Sequence, residues 1–262
     1  MTTAFAYCNV PVMPVRSEPF HRAEQISQVL FGEKVHIISP ENKGWVYITC
    51  EWDHYSGWVK ASQLTFIDKK SYTRKAKFIN TSAQDYLQHD FGKTPLALGS
   101  NLYQYKKRAV EINATQKAIF KGKKINISQI QPSEELCKQM AFAYLGAGYV
   151  WGGRSSLGLD CSGFSQMVYK LMNIRIKRDA YQQAEQGEIV DFLQAAQCGD
   201  LAFFDNEEGR INHVGILLND HTIIHATESA GCVVVDKIDT IGIISTTLKQ
   251  RTHNLRIIKR FF

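Results

Sequence analysis

Hydrophobic positions change pattern twice along the chain. Up to about residue 66 they come in short β-branched and aromatic runs separated by turn signals. Val29-Leu30-Phe31 precedes Gly32-Glu33, Val35 and Ile37-Ile38 follow, and Asn42-Lys43-Gly44 leads into Trp45-Val46-Tyr47-Ile48-Thr49 and then Gly57-Trp58-Val59. Short strands at close spacing predict a small β-barrel. From 67 to 130 the pattern is weaker. Tyr72 to Ile79, Leu96 to Gly99 and Val110 to Ile112 are the candidate strands of a second small β unit, and Gly122 fits a hairpin between Ala118 and Ile127.

At Gln131-Pro132-Ser133 the period lengthens. Ser133 suits a helix cap, Glu134 and Glu135 suit the positive end of the helix, and Leu136, Met140, Ala143 and Tyr144 recur at helical spacing until Gly146. Ser162 to Met172 predicts a second helix with Phe164, Val168 and Leu171 on one face. Strand patterns follow at Leu201 to Phe204, His213 to Leu218, Thr222 to Ala226 and Cys232 to Asp236. Helices followed by an antiparallel sheet indicate an α+β domain. The expected organisation is therefore a β domain over 1–66, a second over 67–130 and an α+β domain over 131–262.

Composition changes this picture little. A charged fraction of 21% and a net charge of +6 describe a mildly basic globular chain, and no nucleic-acid motif accompanies the charge. No apolar run reaches membrane-spanning length. The first residues lack the basic and apolar segments of a leader, so the expected location is cytoplasmic, or outside if a leader has been removed. The six cysteines form no Cys-x-x-Cys pair, which argues for free thiols rather than a zinc site or a disulfide framework.

One cysteine stands in a chemical context. Cys161 falls where the loop Gly158-Leu159-Asp160 feeds the second predicted helix. The N–H groups of a helix start carry partial positive charge, which favours a thiolate and can stabilise an oxyanion. His213 and His225 lie on consecutive predicted strands. A base that takes the thiol proton and a second group that orients it complete a nucleophilic site. Register tests this pairing. A two-residue turn at Asn219-Asp220 puts the two rings on opposite faces, so a shared face needs an odd-length loop or a bulge. The same three side chains could instead hold zinc, although the helix-start position of Cys161 fits catalysis better.

Asp160-Cys161-Ser162-Gly163-Phe164, Tyr149-Val150-Trp151-Gly152-Gly153, Asn212-His213-Val214-Gly215 and Ile224-His225-Ala226, in that order, resemble the NlpC family of bacterial cell-wall cysteine peptidases, which are papain-like in fold. Val15-Arg16-Ser17-Glu18-Pro19, Gly32-Glu33 and Tyr55-Ser56-Gly57-Trp58-Val59 resemble the bacterial SH3-like domains that precede the catalytic domain in one subfamily. The resemblance implies one or two SH3-like barrels ahead of a papain-like domain, and an enzyme that cuts murein peptides between D-γ-glutamate and an L-diamino acid when a free N-terminal L-alanine is present. It implies no cofactor or metal.

It further implies Cys161, His213 and His225 as catalytic residues, with Tyr149 and the Cys161 backbone at the oxyanion. Asp160 would take the substrate ammonium with help from Glu18, Tyr55 would reach the site, Ser162 would bind the substrate backbone and Trp151 would wall the pocket. Read without the resemblance, Asp160 or Ser162 could cap the helix, Tyr149 and Trp151 could be core aromatics, and Glu18 and Tyr55 surface residues. Arg154 and Arg178 read as solvated arginines rather than as partners of a substrate carboxylate. Where the family often carries a serine or threonine after Arg178-Asp179, this chain has Ala180. A transferase using the same cysteine and a non-catalytic peptide-binding module are the competing readings.

Overall fold

The computed structural model describes residues 4–113 and 115–262. Residues 1–3, part of the stretch read as lacking a leader, lie outside the described residues. The chain divides into two compact units. One comprises the residues up to Ile130 together with Gly152–Ser156, the other Gln131–Trp151 and Leu157–Phe262.

In the first unit, β1 (Ala4–Cys8), β2 (Val12–Arg16), β3 (Gln25–Leu30), β4 (Lys34–Ile37), β5 (Trp45–Cys50), β6 (Ser56–Lys60) and β7 (Leu64–Ile67) form one antiparallel sheet in the order β3-β2-β6-β5-β4-β1-β7. Alternate residues point inward to a core of Ala6, Met13, Val15, Val29, Val35, Ile48 and Val59. A short helix α1 (Lys69–Thr73) follows, capped by the Asp68 carboxylate, which accepts from the Ser71 N–H at 2.7 Å. This corrects the expected strand from Tyr72. The cap turns Tyr72 into a helix, and only β8 (Phe78–Asn80) is extended.

Next come β9 (Tyr86–His89), β10 (Gly92–Pro95), β11 (Ala109–Glu111), β12 (Lys117–Lys121) and β13 (Lys124–Asn126). Four of them pair in the order β10-β9-β12-β11, while β13 pairs with β8. The expected hairpin at Gly122 is therefore not one, because its two arms join different sheets. The Asp85 carboxylate fixes this bend by accepting from the Lys123 N–H, and a Cβ on Gly122 would lie 2.0 Å from Asp85 Oδ1. Leu96 to Gly99 is also no strand. Leu96 and Leu98 are buried in a loop whose turn is closed by the Ser100 hydroxyl donating to the Ala97 carbonyl. Phe31 joins Leu87, Leu102, Val110 and Phe120, which ties this region to the first sheet.

Arg154 belongs to this unit and is 1% exposed. Its Nη1 and Nη2 donate to Glu33 at 3.0 and 3.1 Å, and Nη1 also reaches the Gln28 carbonyl. The solvated reading of Arg154 is wrong. A planar guanidinium with a bidentate carboxylate and a carbonyl can be taken out of water as a set.

The second unit opens with α2 (Glu134–Phe142), capped by Ser133 as its sequence predicts. The chain passes through the first unit at the two-residue strand β14 (Arg154–Ser155) and then gives the second unit β15 (Gly158–Leu159), α3 (Cys161–Leu171), α4 (Ala180–Ala184) and β16 (Glu188–Ile189). Then β17 (Leu201–Asp205), β18 (Ile211–Asn219), β19 (Thr222–Thr227), β20 (Cys232–Ile238), β21 (Gly242–Ile244) and β22 (Arg251–Arg260) close into a six-stranded antiparallel barrel, because β22 pairs with both β17 and β21. Ala202, Phe204, Leu217, Ile223, Ile238, Ile243 and Ile258 form its core. On the opposite face of β18 and β19, Val214, Ile216, Ile224 and Ala226 are buried, and α3 packs against these two strands. No described helix is long and apolar enough to cross a membrane.

Candidate active site

Helix α3 starts at Cys161 because Asp160 is extended and its carboxylate accepts from the Gly163 N–H at 2.7 Å. All 11 residues of α3 are buried. Its position is fixed by polar contacts as well as by packing: Gln183 meets the Ser165 hydroxyl at 2.7 Å, and Gln166 donates to the Ile176 carbonyl. The Cys161 sulfur lies 4.0 Å from the carbonyl oxygen of Asn212, the residue before His213.

Two bulges aim the histidines. Phe204 pairs with His213 but Asp205 with Ile211, so Asn212 is the extra residue. At the other end of β18, Asn219 pairs with Thr222 while Leu217 pairs with Ile223, which leaves Leu218 extra. The turn residues are thus Asp220 and His221, not Asn219 and Asp220. Without the Leu218 bulge, the two-residue turn would send the rings to opposite faces; with it they share one. His213 Nε2 and His225 Nδ1 are 2.8 Å apart. Gly215 lies between them, where a Cβ would approach His225 Cβ to 2.9 Å and Ile223 Cδ1 to 2.6 Å.

Two further side chains join, neither singled out in the sequence. His225 Nε2 is 3.2 Å from Asp236 Oδ2, and His253 stacks on His213 with ring centroids 4.0 Å apart at 23°. Asp236 follows an alternation, with Val234 opposite His225 and Asp236 two residues on along the same face. That parity was a usable signal. His253 had none, because the first half of β22 is polar and shows no strand period.

Cys161, Asn212, His213, His253, Tyr149 and Trp151 line one cavity of about 570 Å³, together with Thr227 to Ser229, Leu248 and Gln250 to Thr252. Trp151 is 61% exposed at its edge. Among the described residues no cluster of His, Cys, Asp or Glu is arranged to hold a metal ion.

Burial acts on the titratable groups of the site. Burial, then the Asp160 carboxylate, pushes the Cys161 thiol up to about 12, against the pull of the Val214 and Ser162 N–H groups. Burial, then His253 and His225, pushes His213 well below its ordinary value. At Cys161, burial and the Asp160 carboxylate thus work against the field of the helix start. Burial also raises the Tyr149 hydroxyl, so it remains a hydrogen-bond donor. For Asp236, burial would raise the carboxyl, but hydrogen bonds from His225 and from the Thr246 N–H and hydroxyl hold it below the usual range.

His253 falls from 6.5 to about 4 through burial and the nearby His225. As pH drops, the unfolded chain takes this proton first. Stability present above pH 6.5 is then lost between about 6.5 and 4, by on the order of 3 kcal/mol. Urea midpoints across that range should fall, and His253→Phe, which keeps a flat ring on His213, should flatten the fall. An undiminished fall in that variant would contradict this account.

Asp160 and Ser162 do not face the cavity freely. Arg178, 1% exposed, binds Asp160 through Nη1 at 3.0 Å and Nη2 at 2.7 Å, and its Nη1 also donates to the Ser162 hydroxyl at 2.8 Å. The solvated reading of Arg178 is therefore corrected as well. Glu18, exposed after β2, and Tyr55, half-buried before β6, belong to the first unit. Ala180 is buried at the start of α4.

Comparison with known proteins places these features. Residues 146–252 match the NlpC/P60 family and residues 15–64 match the bacterial dipeptidyl-peptidase Sh3 domain. A gamma-D-glutamyl-L-lysine dipeptidyl-peptidase of Bacillus subtilis is 30% identical over 226 residues, spanning 80% of this chain and 74% of the relative. Dipeptidyl-peptidase 6 of Lysinibacillus sphaericus is 27% identical over 85% of this chain and 88% of its own. The crystal structure of an NlpC/P60 family protein from Bacillus cereus superposes over 98% of this chain and 99% of that one with a TM-score of 0.81, at 21% identity, and so shares the fold. A likeness this extensive to the Bacillus subtilis enzyme, with the family match running across the cysteine and both histidines, means that the chain belongs to the NlpC/P60 family of cysteine peptidases.

Proposed function

We propose that this peptidase hydrolyses the γ-D-glutamyl–L-diamino acid bond of murein peptides that carry a free N-terminal L-alanine, in cell-wall turnover or recycling. The observation that carries the chemistry is the Cys161 sulfur beside the Asn212 bulge, opening into the same cavity as a His213 ring already bonded to His225. The substrate class is supported by the Bacillus relatives, which are gamma-D-glutamyl-L-lysine dipeptidyl-peptidases.

The steps of this reading use a cysteine nucleophile and an imidazole base. His213 takes the thiol proton as Cys161 attacks the amide carbonyl. The Cys161 N–H and the Tyr149 hydroxyl receive the oxyanion. The protonated His213 gives its proton to the leaving diamino acid, and water, deprotonated by the same ring, clears the thioester.

For the substrate ammonium, Asp160 offers a carboxylate whose position is fixed by Arg178. The roles of Glu18, Tyr55, Ser162 and Trp151 in binding, and of residues 67–130 as a second SH3-like module, rest on the family resemblance. Action on wall fragments inside the cell, or outside it, is compatible with this chemistry.

Mass spectrometry of products from L-Ala-D-γ-Glu-diamino acid peptides tests the reading. The free peptide should be cleaved with kcat/KM about 10²-fold or more above its N-acetylated form, since acetylation removes the charge the site must pair. Equal cleavage would refute ammonium recognition, and cleavage of neither would refute the substrate class.

A further inference from the structure

Behind the two histidines stands a carboxylate with no other evident use. Asp236 is 2% exposed and on β20, one strand beyond His225. Its Oδ2 faces His225 Nε2 at 3.2 Å, and its Oδ1 accepts from the Thr246 N–H and from the Thr246 hydroxyl, each at 2.7 Å. An ionised carboxylate can only accept hydrogen bonds. His225 Nε2 must therefore carry the hydrogen, which leaves its Nδ1 with the lone pair. That lone pair accepts at 2.8 Å from His213 Nε2–H. His213 Nδ1 is then the bare nitrogen left to take the thiol proton.

We propose that Asp236 is a positioning residue that sets the tautomers of His225 and His213 in series and stabilises the positive charge His213 acquires when Cys161 is deprotonated. A buried imidazole pair with no such carboxylate has two equivalent tautomeric arrangements, and only one presents a base to the sulfur. The Thr246 donors keep the carboxylate ionised and aimed, so the acceptor end of the chain cannot reverse.

His253 stacks on His213 from β22, Cys161, Tyr149, Glu228 and Arg251 line the cavity beside it, and the Asp160–Arg178 ion pair holds the start of the helix that carries Cys161. Asp236 is the carboxylate bonded to the relay itself.

The inference rests on Cys161 and His213 being the nucleophile and its base, and its test avoids the peptide substrate. The rate at which iodoacetamide alkylates Cys161, read by mass spectrometry of the Cys161 peptide in the full chain, is measured against pH. In the unaltered protein it should rise to a plateau as His213 loses its proton, and His213→Ala should remove the rise. Asp236→Asn should lower the plateau by about tenfold or more and move the inflection to lower pH, because a base deprived of the charge behind it is weaker. In a His225→Gln background the same substitution should change the rate by less than about twofold, since the carboxylate acts through that ring. Asp236→Ser provides the same comparison if the asparagine variant does not fold. A profile for either folded variant that coincides with the unaltered protein would overturn the proposal, as would equal losses in both backgrounds. A rise that survives His213→Ala would overturn the nucleophile–base assignment instead.

Discussion

Replacing Cys161 with alanine is expected to lower hydrolysis of the γ-D-glutamyl bond by on the order of 10⁶-fold, to the level of the buffer reaction. Among the described residues no other sulfur lines the cavity. Cys8 and Cys50 are buried in the first unit, where burial pushes both thiols up, and Cys137 hydrogen-bonds with Cys198 away from the histidines. Neither His213 nor a water molecule can substitute, because the mechanism needs a nucleophile that forms an acyl intermediate and then leaves. The fold should tolerate the change. Cys161 is at the first position of the helix, whose cap is the Asp160 side chain, so the melting temperature should move by only a few degrees. Product formation followed by chromatography, alongside thermal denaturation, checks both halves. Residual activity within tenfold of the unaltered enzyme would mean that the nucleophile is elsewhere.

The second large effect concerns stability. Arg178→Met should destabilise the protein by about 3–5 kcal/mol, because it leaves the Asp160 carboxylate buried without its counter-charge. The methionine fills much of the space but cannot donate to Asp160 or to the Ser162 hydroxyl. Both groups lie at the start of the helix that carries Cys161, so activity should fall with stability. Adding Asp160→Asn to Arg178→Met should recover part of the loss, since the amide is neutral and its oxygen can still accept from the Gly163 N–H. Urea unfolding of the three variants measures this. A single variant as stable as the unaltered protein, or a double variant less stable than the single, would show that the ion pair does not hold this helix start.

The arginines show why sequence alone misleads at such places. Arg154 follows two glycines and Arg178 stands in the basic run Arg175-Ile176-Lys177-Arg178, and charge in such settings ordinarily faces water. Their burial depends on Glu33 and Asp160, which lie far from them in the chain or whose geometry no local pattern records. Asp236 and His253 escaped for a related reason. One is a lone acid ending an apolar run, the other a histidine in a polar strand, and each acquires meaning only from neighbours contributed by other strands. The Tyr72 and Gly122 expectations failed locally, through an Asp68 cap and an Asp85 clasp that outweighed strand propensity.

What the sequence determined by itself is what short-range physics can encode. That includes the strand runs of the first unit, the capped start of the first long helix, the order of cysteine and histidines, and the family those motifs mark. Tertiary structure alone decided the rest. It placed a bulge at Leu218 so that two imidazoles share a face, brought β22 round to close the barrel, and buried the cysteine sulfur beside the Asp160 carboxylate. Burial and opposed charges set these outcomes, and both are sums over atoms that the chain brings together only when folded.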